Sequence, residues 1–355
     1  MSTSAGNDAL AKPLIGVTLG DPLGIGPEVI IKALVDPELR SQARFVIYGL
    51  HEVLELAADQ AEIPPFWWRE PFDRALRVGT GVLVADFDDL PLTRVNGTRG
   101  PDAAAGEASF RFVDEATRHL REGVLDALVT GPICKESWRL ANRRFPGHTE
   151  LLADRFQTKR VTMMFAAGDL RVALASVHIP LFELRHQFTI GLVHQPIDLL
   201  HDALRNWFGV ESPLIGVLGL NPHAGENGLL GDEETRIIEP ALAMARNTNI
   251  RVEGPLSPDT AFIPHSLRRF DGLVAMYHDQ GLIPVKMSAF DRAVNITLGI
   301  PAIRTSPDHG TAFDIAGKNR ASCGSMTEAL RLAIRFARVR RKRGAGHVAA
   351  TSAGS

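Results

Sequence analysis

Short runs of branched and small apolar residues recur along this chain, with amphipathic stretches between them. Leu14–Leu19, Phe45–Tyr48, Gly81–Val84 and Ala127–Thr130 read as buried strands. So do Leu170–Val177, Leu214–Leu220 (within Trp207–Leu220) and Gly272–Met276. Helical spacing of apolar positions marks Pro27–Leu34, Ala104–Arg121 and a stretch near Ile197–Asn206. Pro27 suits a first helical position, where its missing N–H costs nothing. Strands alternating with helices predict an α/β fold whose sheet is mostly parallel and covered on both faces. A capping box, Ser325-Met326-Thr327-Glu328, predicts a last helix to about Val339. The Arg340-Arg341-Lys342-Arg343 cluster beyond it complements the helix dipole and reads as solvated surface. Residues 1–13 and 344–355 lack an apolar period and read as disordered tails.

At 355 residues the chain exceeds one comfortable core, so two α/β lobes around a cleft are expected. With 45% hydrophobic and 23% charged residues it has the composition of an ordinary globular protein. A formal net charge of −2 argues against a nucleic-acid surface. No apolar run approaches the ~20 residues of a membrane span, and the first residues lack the apolar core of a signal peptide. Two cysteines, Cys134 and Cys323, form neither a CxxC pair nor a disulfide framework, which makes the cytoplasm the expected location.

Candidate chemistry gathers where strand runs end. His178, His223 and His278 each follow such a run, at the strand ends where open α/β sheets hold ligands. Three neutral imidazoles with an open position suit a catalytic Zn²⁺ or similar ion; by spacing alone, three unrelated histidines remain an alternative. Gly147-His148-Thr149-Glu150 stands at an expected helix start, where free amides favour an anion. Lys286, Asn295 and Arg304 offer a point charge, an amide and a planar fork, a set suited to phosphate plus carboxylate. Lys286, Asp259 and Asp279 are candidates to accept a hydroxyl proton; the two carboxylates can equally fix histidine tautomers. Gly24-Ile25-Gly26 starts a dinucleotide fingerprint but breaks at Pro27, so Gly20–Glu28 is either a structural turn or a ligand contact.

Seven blocks carry a family resemblance. They are Gly20-Asp-Pro-Leu-Gly-Ile-Gly-Pro-Glu28, Val129-Thr-Gly-Pro132, Phe145-Pro-Gly-His-Thr-Glu150, Asn221-Pro-His-Ala-Gly-Glu226, Tyr277-His-Asp-Gln-Gly281, Asn295-Ile-Thr-Leu-Gly299 and Ile303-Arg-Thr-Ser-Pro-Asp-His-Gly-Thr-Ala312. In this order, over residues 14–335, the chain resembles the 4-hydroxythreonine-4-phosphate dehydrogenase family of vitamin B6 biosynthesis. The resemblance implies two α/β/α lobes like those of isocitrate and isopropylmalate dehydrogenases. The first would take residues 14–130 with 305–340 and the second residues 131–304. It implies one divalent ion (Zn²⁺, Mg²⁺ or Co²⁺) on His178, His223 and His278, one of them reaching across from the neighbouring subunit of a homodimer. Substrate would lie on His148, Thr149, Lys286, Asn295 and Arg304.

His309-Gly310-Thr311-Ala312 with Asp314 is similar to the adenine-binding loop of those dehydrogenases. A carboxylate placed to bond the adenosine ribose would repel a 2′-phosphate, so NAD is expected over NADP. The implied reaction is oxidation of 4-phosphooxy-L-threonine with decarboxylation to 3-amino-2-oxopropyl phosphate. Alternatives within the family are dehydrogenation of 4-phospho-D-threonate or 4-phospho-D-erythronate, or of the cis-dihydrodiol of terephthalate. One position departs from the pattern: Cys134 stands where Gly-Pro-Ile-Asn-Lys would place Asn.

Overall fold

The computed structural model describes residues 12–73, 79–90, 97 and 99–352. Residues 1–11 and 353–355 of the expected tails lie outside this range. The strands, in chain order, are β1 Leu14–Thr18, β2 Arg44–Gly49, β3 Trp68–Pro71, β4 Val82–Asp86, β5 Ala127–Thr130, β6 Thr162–Ala167, β7 Leu170–Leu174, β8 Leu214–Leu218, β9 Arg251–Leu256, β10 Gly272–Ala275, β11 Val294–Leu298 and β12 Arg304–Pro307. The chain divides into two compact units, Met1–Thr158 with Ile300–Arg341 and Lys159–Gly299 with Lys342–Ser355.

In the first unit the strand order is β3-β4-β2-β1-β5-β12, and all five neighbouring pairs are parallel. Every residue of β1, β4 and β5 is buried, as strands covered on both faces must be. The expected boundary after residue 130 is not where this unit ends: residues 131–158 and 300–304 belong to it as well. Trp138 supplies the reason. Its fully buried ring packs edge-on against Phe110 of helix Ala103–Arg121, and its Nε1 donates to Ser109 Oγ at 2.9 Å. Val113, Leu151, Ile133 and Phe145 complete that cluster and tie helices Lys135–Leu140 and His148–Arg155 to the unit.

The second unit has the order β11-β6-β7-β10-β8-β9. Here β7, β10, β8 and β9 are parallel neighbours, but β6 runs antiparallel to both β11 and β7. The β6–β7 hairpin turns on Gly168-Asp169, with Gly168 at φ 62°, a conformation that glycine adopts without strain. Phe165, Val172, Leu174, Leu218 and Leu273 share one core with Leu282 and Val285 of helix His278–Ala289.

Three other expectations change. Strand character in Trp207–Leu220 is confined to Leu214–Leu218. The last helix spans Gly324–Ser352 rather than stopping near Val339, so residues 344–352 are helical rather than disordered. Two glycines at roughly 1 kcal/mol each do not outweigh a run of good helix formers. Ser325 does not close a capping box; its Oγ accepts from the amide of Asp308 at 2.9 Å. Among the described residues no helix is long and apolar enough to cross a membrane, and Cys134 and Cys323 are free thiols.

The turn after β1 is tightly built. Gly20 has φ 78°, and a Cβ there would lie 2.4 Å from Pro132 O. Asp21 is fully buried, its Oδ1 accepting from Leu23 N (3.0 Å) and its Oδ2 from Ser137 Oγ (2.9 Å). Burial pushes its carboxyl up to about 6, against the pull of those two bonds. A carboxyl raised in the fold favours the folded state when protonated. That contribution is complete below pH ~4 and is lost as pH rises through about 6, amounting to about 3 kcal/mol at 1.36 kcal/mol per unit. Asp21→Asn is therefore expected to flatten the melting-temperature profile between pH 4 and 7; an unchanged slope would show that the carboxyl ionises freely.

Candidate functional site

Three neighbouring strands of the second unit, β7, β10 and β8, run parallel and each leads to one of the histidines. Side chains staple the strand ends. Ser176 donates to Met276 O through both its amide (3.2 Å) and its hydroxyl (2.8 Å), joining the His178 segment to the His278 segment. Gln280 accepts from Met276 N (2.7 Å) and donates to Gly219 O (2.8 Å), joining the His278 segment to the one leading to His223. Neither residue stood out in the sequence; a polar side chain one or two places from a candidate ligand was the available signal.

His178 and His278 come together, with ring centroids 5.8 Å apart. His223 leads from the next strand, β8. It lines a pocket of about 300 Å³ with Asn221, Asp259, Tyr277 and Gln280. Among the described residues no three His, Cys, Asp or Glu side chains lie grouped as they would around a metal ion. The two candidate carboxylates each face an imidazole: Asp279 Oδ1 lies 2.7 Å from His278 Nδ1, and Asp259 Oδ2 lies 3.7 Å from His223 Nδ1. A bond from Ser257 Oγ, and secondarily the nearby His223, holds the Asp259 carboxyl below its usual range. A carboxylate at Nδ1 keeps the proton there and leaves the Nε2 lone pair outward, the tautomer a metal ion needs.

His223 sits in an uncommon backbone. Residues His223–Asn227 all have positive φ, from 43° to 78°. Four of the five carry side chains, and a left-handed residue with a Cβ costs roughly 1–2 kcal/mol. The turn is held by Glu234, which is buried. Its Oε1 accepts from the amides of Leu220 (2.8 Å) and Asn221 (2.7 Å), and its Oε2 from Asn221 Nδ2 (2.9 Å).

Lys286 and Asn295 belong to this unit too. Lys286 is exposed, its ammonium 5.9 Å from the Phe290 ring centroid. Asn295 Oδ1 is buried without a hydrogen-bond partner, while its Nδ2 reaches Met163 Sδ at 3.8 Å. Ile283 (58% exposed), Met287 (83%) and Phe290 (76%) form an apolar stripe at i, i+4, i+7 along the helix that begins at His278, and Lys286 lies within it.

The first unit carries the other three substrate candidates, and it does bring them together. Helix His148–Arg155 starts after Gly147, as expected, and Thr149 is buried in its first turn. Arg304 is 2% exposed and donates to Thr130 Oγ1 from Nε (3.1 Å) and Nη2 (2.6 Å). Burial pushes its pKa down to about 9, which leaves the guanidinium charged at neutrality. Burial, then the charges of Arg304 and Lys135, hold His148 well below its ordinary pKa. Its Nε2 is buried without a hydrogen-bond partner. A buried cation, a neutral imidazole pressed by two positive charges and a helix start together favour an anion. Cys134 takes the helix-capping role at the departing position, its Sγ accepting from Ser137 N at 3.4 Å. The fold therefore keeps the cap that an Asn would supply, with a weaker acceptor.

In the same unit, Ile25 N donates to Thr311 O at 2.9 Å, so the Gly20–Glu28 turn braces the loop 309–314. His309 Nδ1 lies 3.1 Å from Gly310 O, which places the ring proton on Nδ1 and makes the buried, unpartnered Nε2 an acceptor. Gly310 faces open space, with nothing within 4 Å of a Cβ built there, and Asp314 is exposed.

Comparison with known proteins agrees with the resemblance. Residues 41–333 match the family model described as pyridoxal phosphate biosynthetic protein PdxA. A 4-hydroxythreonine-4-phosphate dehydrogenase of Desulforapulum autotrophicum is 42% identical over 91% of this chain and 95% of its own length. A D-threonate 4-phosphate dehydrogenase of Cupriavidus necator is 44% identical over 90% of this chain and 96% of its own. The crystal structure of the 4-hydroxythreonine-4-phosphate dehydrogenase from Klebsiella pneumoniae superimposes with a TM-score of 0.80 at 39% identity, covering 92% of this chain and 100% of that one. With its strand-end histidines, its buried arginine and a match over most of its length, the chain belongs to the PdxA family of pyridoxal phosphate biosynthetic proteins.

Proposed function

We propose that the protein is a metal-dependent, NAD-linked dehydrogenase of a short phosphorylated hydroxy acid, with 4-phosphooxy-L-threonine as the leading substrate. The observation that carries this reading is the anion patch of His148, Thr149 and Arg304, built from a buried guanidinium and an unsatisfied buried nitrogen. A phosphate fits this set, and an unphosphorylated dihydrodiol dicarboxylate does not need the His148–Thr149 pair. Asn295 and Lys286 engage the remaining polar groups of the substrate.

The imidazoles of His178, His223 and His278 would hold a divalent ion; Asp279, bonded at His278 Nδ1, leaves that ring's Nε2 lone pair for it, and Asp259 stands 3.7 Å from His223 Nδ1. The bound ion supplies a Lewis acid that lowers the pKa of the substrate hydroxyl. Lys286, Asp259 and Asp279 are the candidates to take the hydroxyl proton, Lys286 only as its neutral amine. Oxidation at C3 gives a β-keto acid, whose carboxylate leaves as CO₂ because the new carbonyl accepts the electrons. Arg304 and Lys286 favour the negative charge that develops. His309, Gly310, Thr311, Ala312 and Asp314 hold the adenosine end of NAD.

A homodimer completes the site. The exposed stripe Ile283–Met287–Phe290 lies on the helix that His278 begins. A second copy covering that stripe also buries Lys286 and brings one of the three imidazoles from across the interface.

A second substrate has a specific observation in its favour, because the 44% identical relative acts on D-threonate 4-phosphate. One experiment separates the readings: NAD reduction measured side by side with 4-phosphooxy-L-threonine, 4-phospho-D-threonate, 4-phospho-D-erythronate and the terephthalate dihydrodiol. The largest kcat/KM is expected with the phosphothreonine. Preference for the phosphothreonate moves the protein to the second substrate, and turnover of the dihydrodiol alone overturns the phosphate assignment.

A further inference from the structure

We infer that Glu234 is a positioning residue for His223, holding the left-handed turn in the one conformation that presents that imidazole as a ligand. The inference rests on the reading of His223 as a metal ligand. Gly225 and Asn227 tolerate positive φ, but Ala224 and Glu226 do not favour it, and five residues in a row, His223–Asn227, adopt it. Something must over-determine the conformation, and the buried carboxylate of Glu234 is placed to do so.

Its Oε1 gathers the amides of Leu220 and Asn221 at the entrance of the turn. Its Oε2 takes Asn221 Nδ2, which also donates to Glu233 Oε2 at 2.7 Å. The far side is closed by contact: a Cβ on Gly225 would lie 2.7 Å from Glu234 Oε2, and one on Gly219 would lie 3.1 Å from Oε1. The carboxylate thus touches the entrance of the turn and its middle. Removing it leaves two amides without their acceptor and lets the backbone relax to negative φ, which swings His223 away. Glu234 contacts no substrate group and acts only through the histidine it aims.

The test uses the full-length chain stripped by chelator and titrated with Co²⁺, beside hydrogen exchange of the Leu220 and Asn221 amides. Glu234→Ala is expected to weaken Co²⁺ binding about 10–100-fold and to speed exchange at both amides, the range typical of groups that orient a ligand. Glu234→Gln keeps an acceptor for both amides and should recover most of the affinity. Asn221→Ala retains the carboxylate, removes one of its bonds and carries the test if Glu234→Ala does not fold; a smaller loss in the same direction is expected. His223→Ala is the reference. If it loses Co²⁺ affinity while the Glu234 and Asn221 variants keep theirs, the positioning role is overturned and the ligand reading stands. If His223→Ala itself binds Co²⁺ as the parent does, the ligand reading is wrong and the inference falls with it.

Discussion

Alanine at His223 and alanine at His278 are each expected to lower turnover by about 10³-fold, the equivalent of roughly 4 kcal/mol of Lewis-acid assistance. A mixture of the two inactive proteins is expected to regain activity. His178 and His278 face each other within one chain, and His223 lines a pocket with Asp259, Tyr277 and Gln280. If each site takes the first pair from one subunit and His223 from the other, a heterodimer of the two variants has one intact site and one lacking two ligands. Statistical exchange makes half the dimers mixed, so about a quarter of the parent rate should return. Metal content should follow, near one ion per four chains in the mixture. Exchange of subunits demonstrated by differently tagged chains, with no recovered turnover, would place all the ligands in a single chain and sink the shared site. Recovery in a mixture of His178→Ala with His278→Ala would equally contradict it, because those two residues belong to the same half.

The strand-end placement of the histidines was legible because it depends only on local pattern. A buried parallel strand is a short apolar run, and the first polar residue after it stands at the ligand-bearing end. Thus β5 and β10 were found nearly to the residue, and His148 at a helix start followed from Gly147 and the turn chemistry around it. What the pattern did not convey was sense and partnership. The antiparallel β6 was missed although Gly168-Asp169 is a hairpin signal, because an apolar run reads alike in either direction. The boundary after residue 130 failed because Trp138 reaches back to Phe110 and Ser109, about thirty residues earlier, and no local rule encodes such a contact. Glu234 was invisible for a related reason. Its two amide partners lie 13 and 14 residues away, and a Glu in a polar stretch reads as solvated until the fold buries it. The departure at Cys134 was visible in the sequence, but its consequence was not; only the 3.4 Å contact with Ser137 N shows that capping survives.

The phosphate assignment predicts a KM effect that separates binding from chemistry. Arg304→Met should raise KM for a phosphorylated substrate by about 100-fold and Thr149→Val by about tenfold, from losses of roughly 3 and 1.5 kcal/mol in bonds to a charged group. The larger figure belongs to Arg304 because its guanidinium is desolvated and offers parallel N–H groups, whereas the threonine offers a single hydroxyl. Neither change should endanger the fold. Arg304→Met removes a buried charge whose burial already pulls its pKa down to about 9, and methionine fills a similar volume. Inorganic phosphate or sulfate should compete with substrate in the parent and far less in either variant, since the anion is expected to meet the same His148, Thr149 and Arg304 donors. Thr149→Val should matter little for an unphosphorylated dihydrodiol. The decisive contrary result is a KM for the phosphorylated substrate that stays at the parent value in Arg304→Met while kcat falls. That pattern would assign Arg304 to the reacting carboxylate rather than to the phosphate, and would leave His148 and Thr149, with the adjacent Lys135 charge, to hold the phosphate alone.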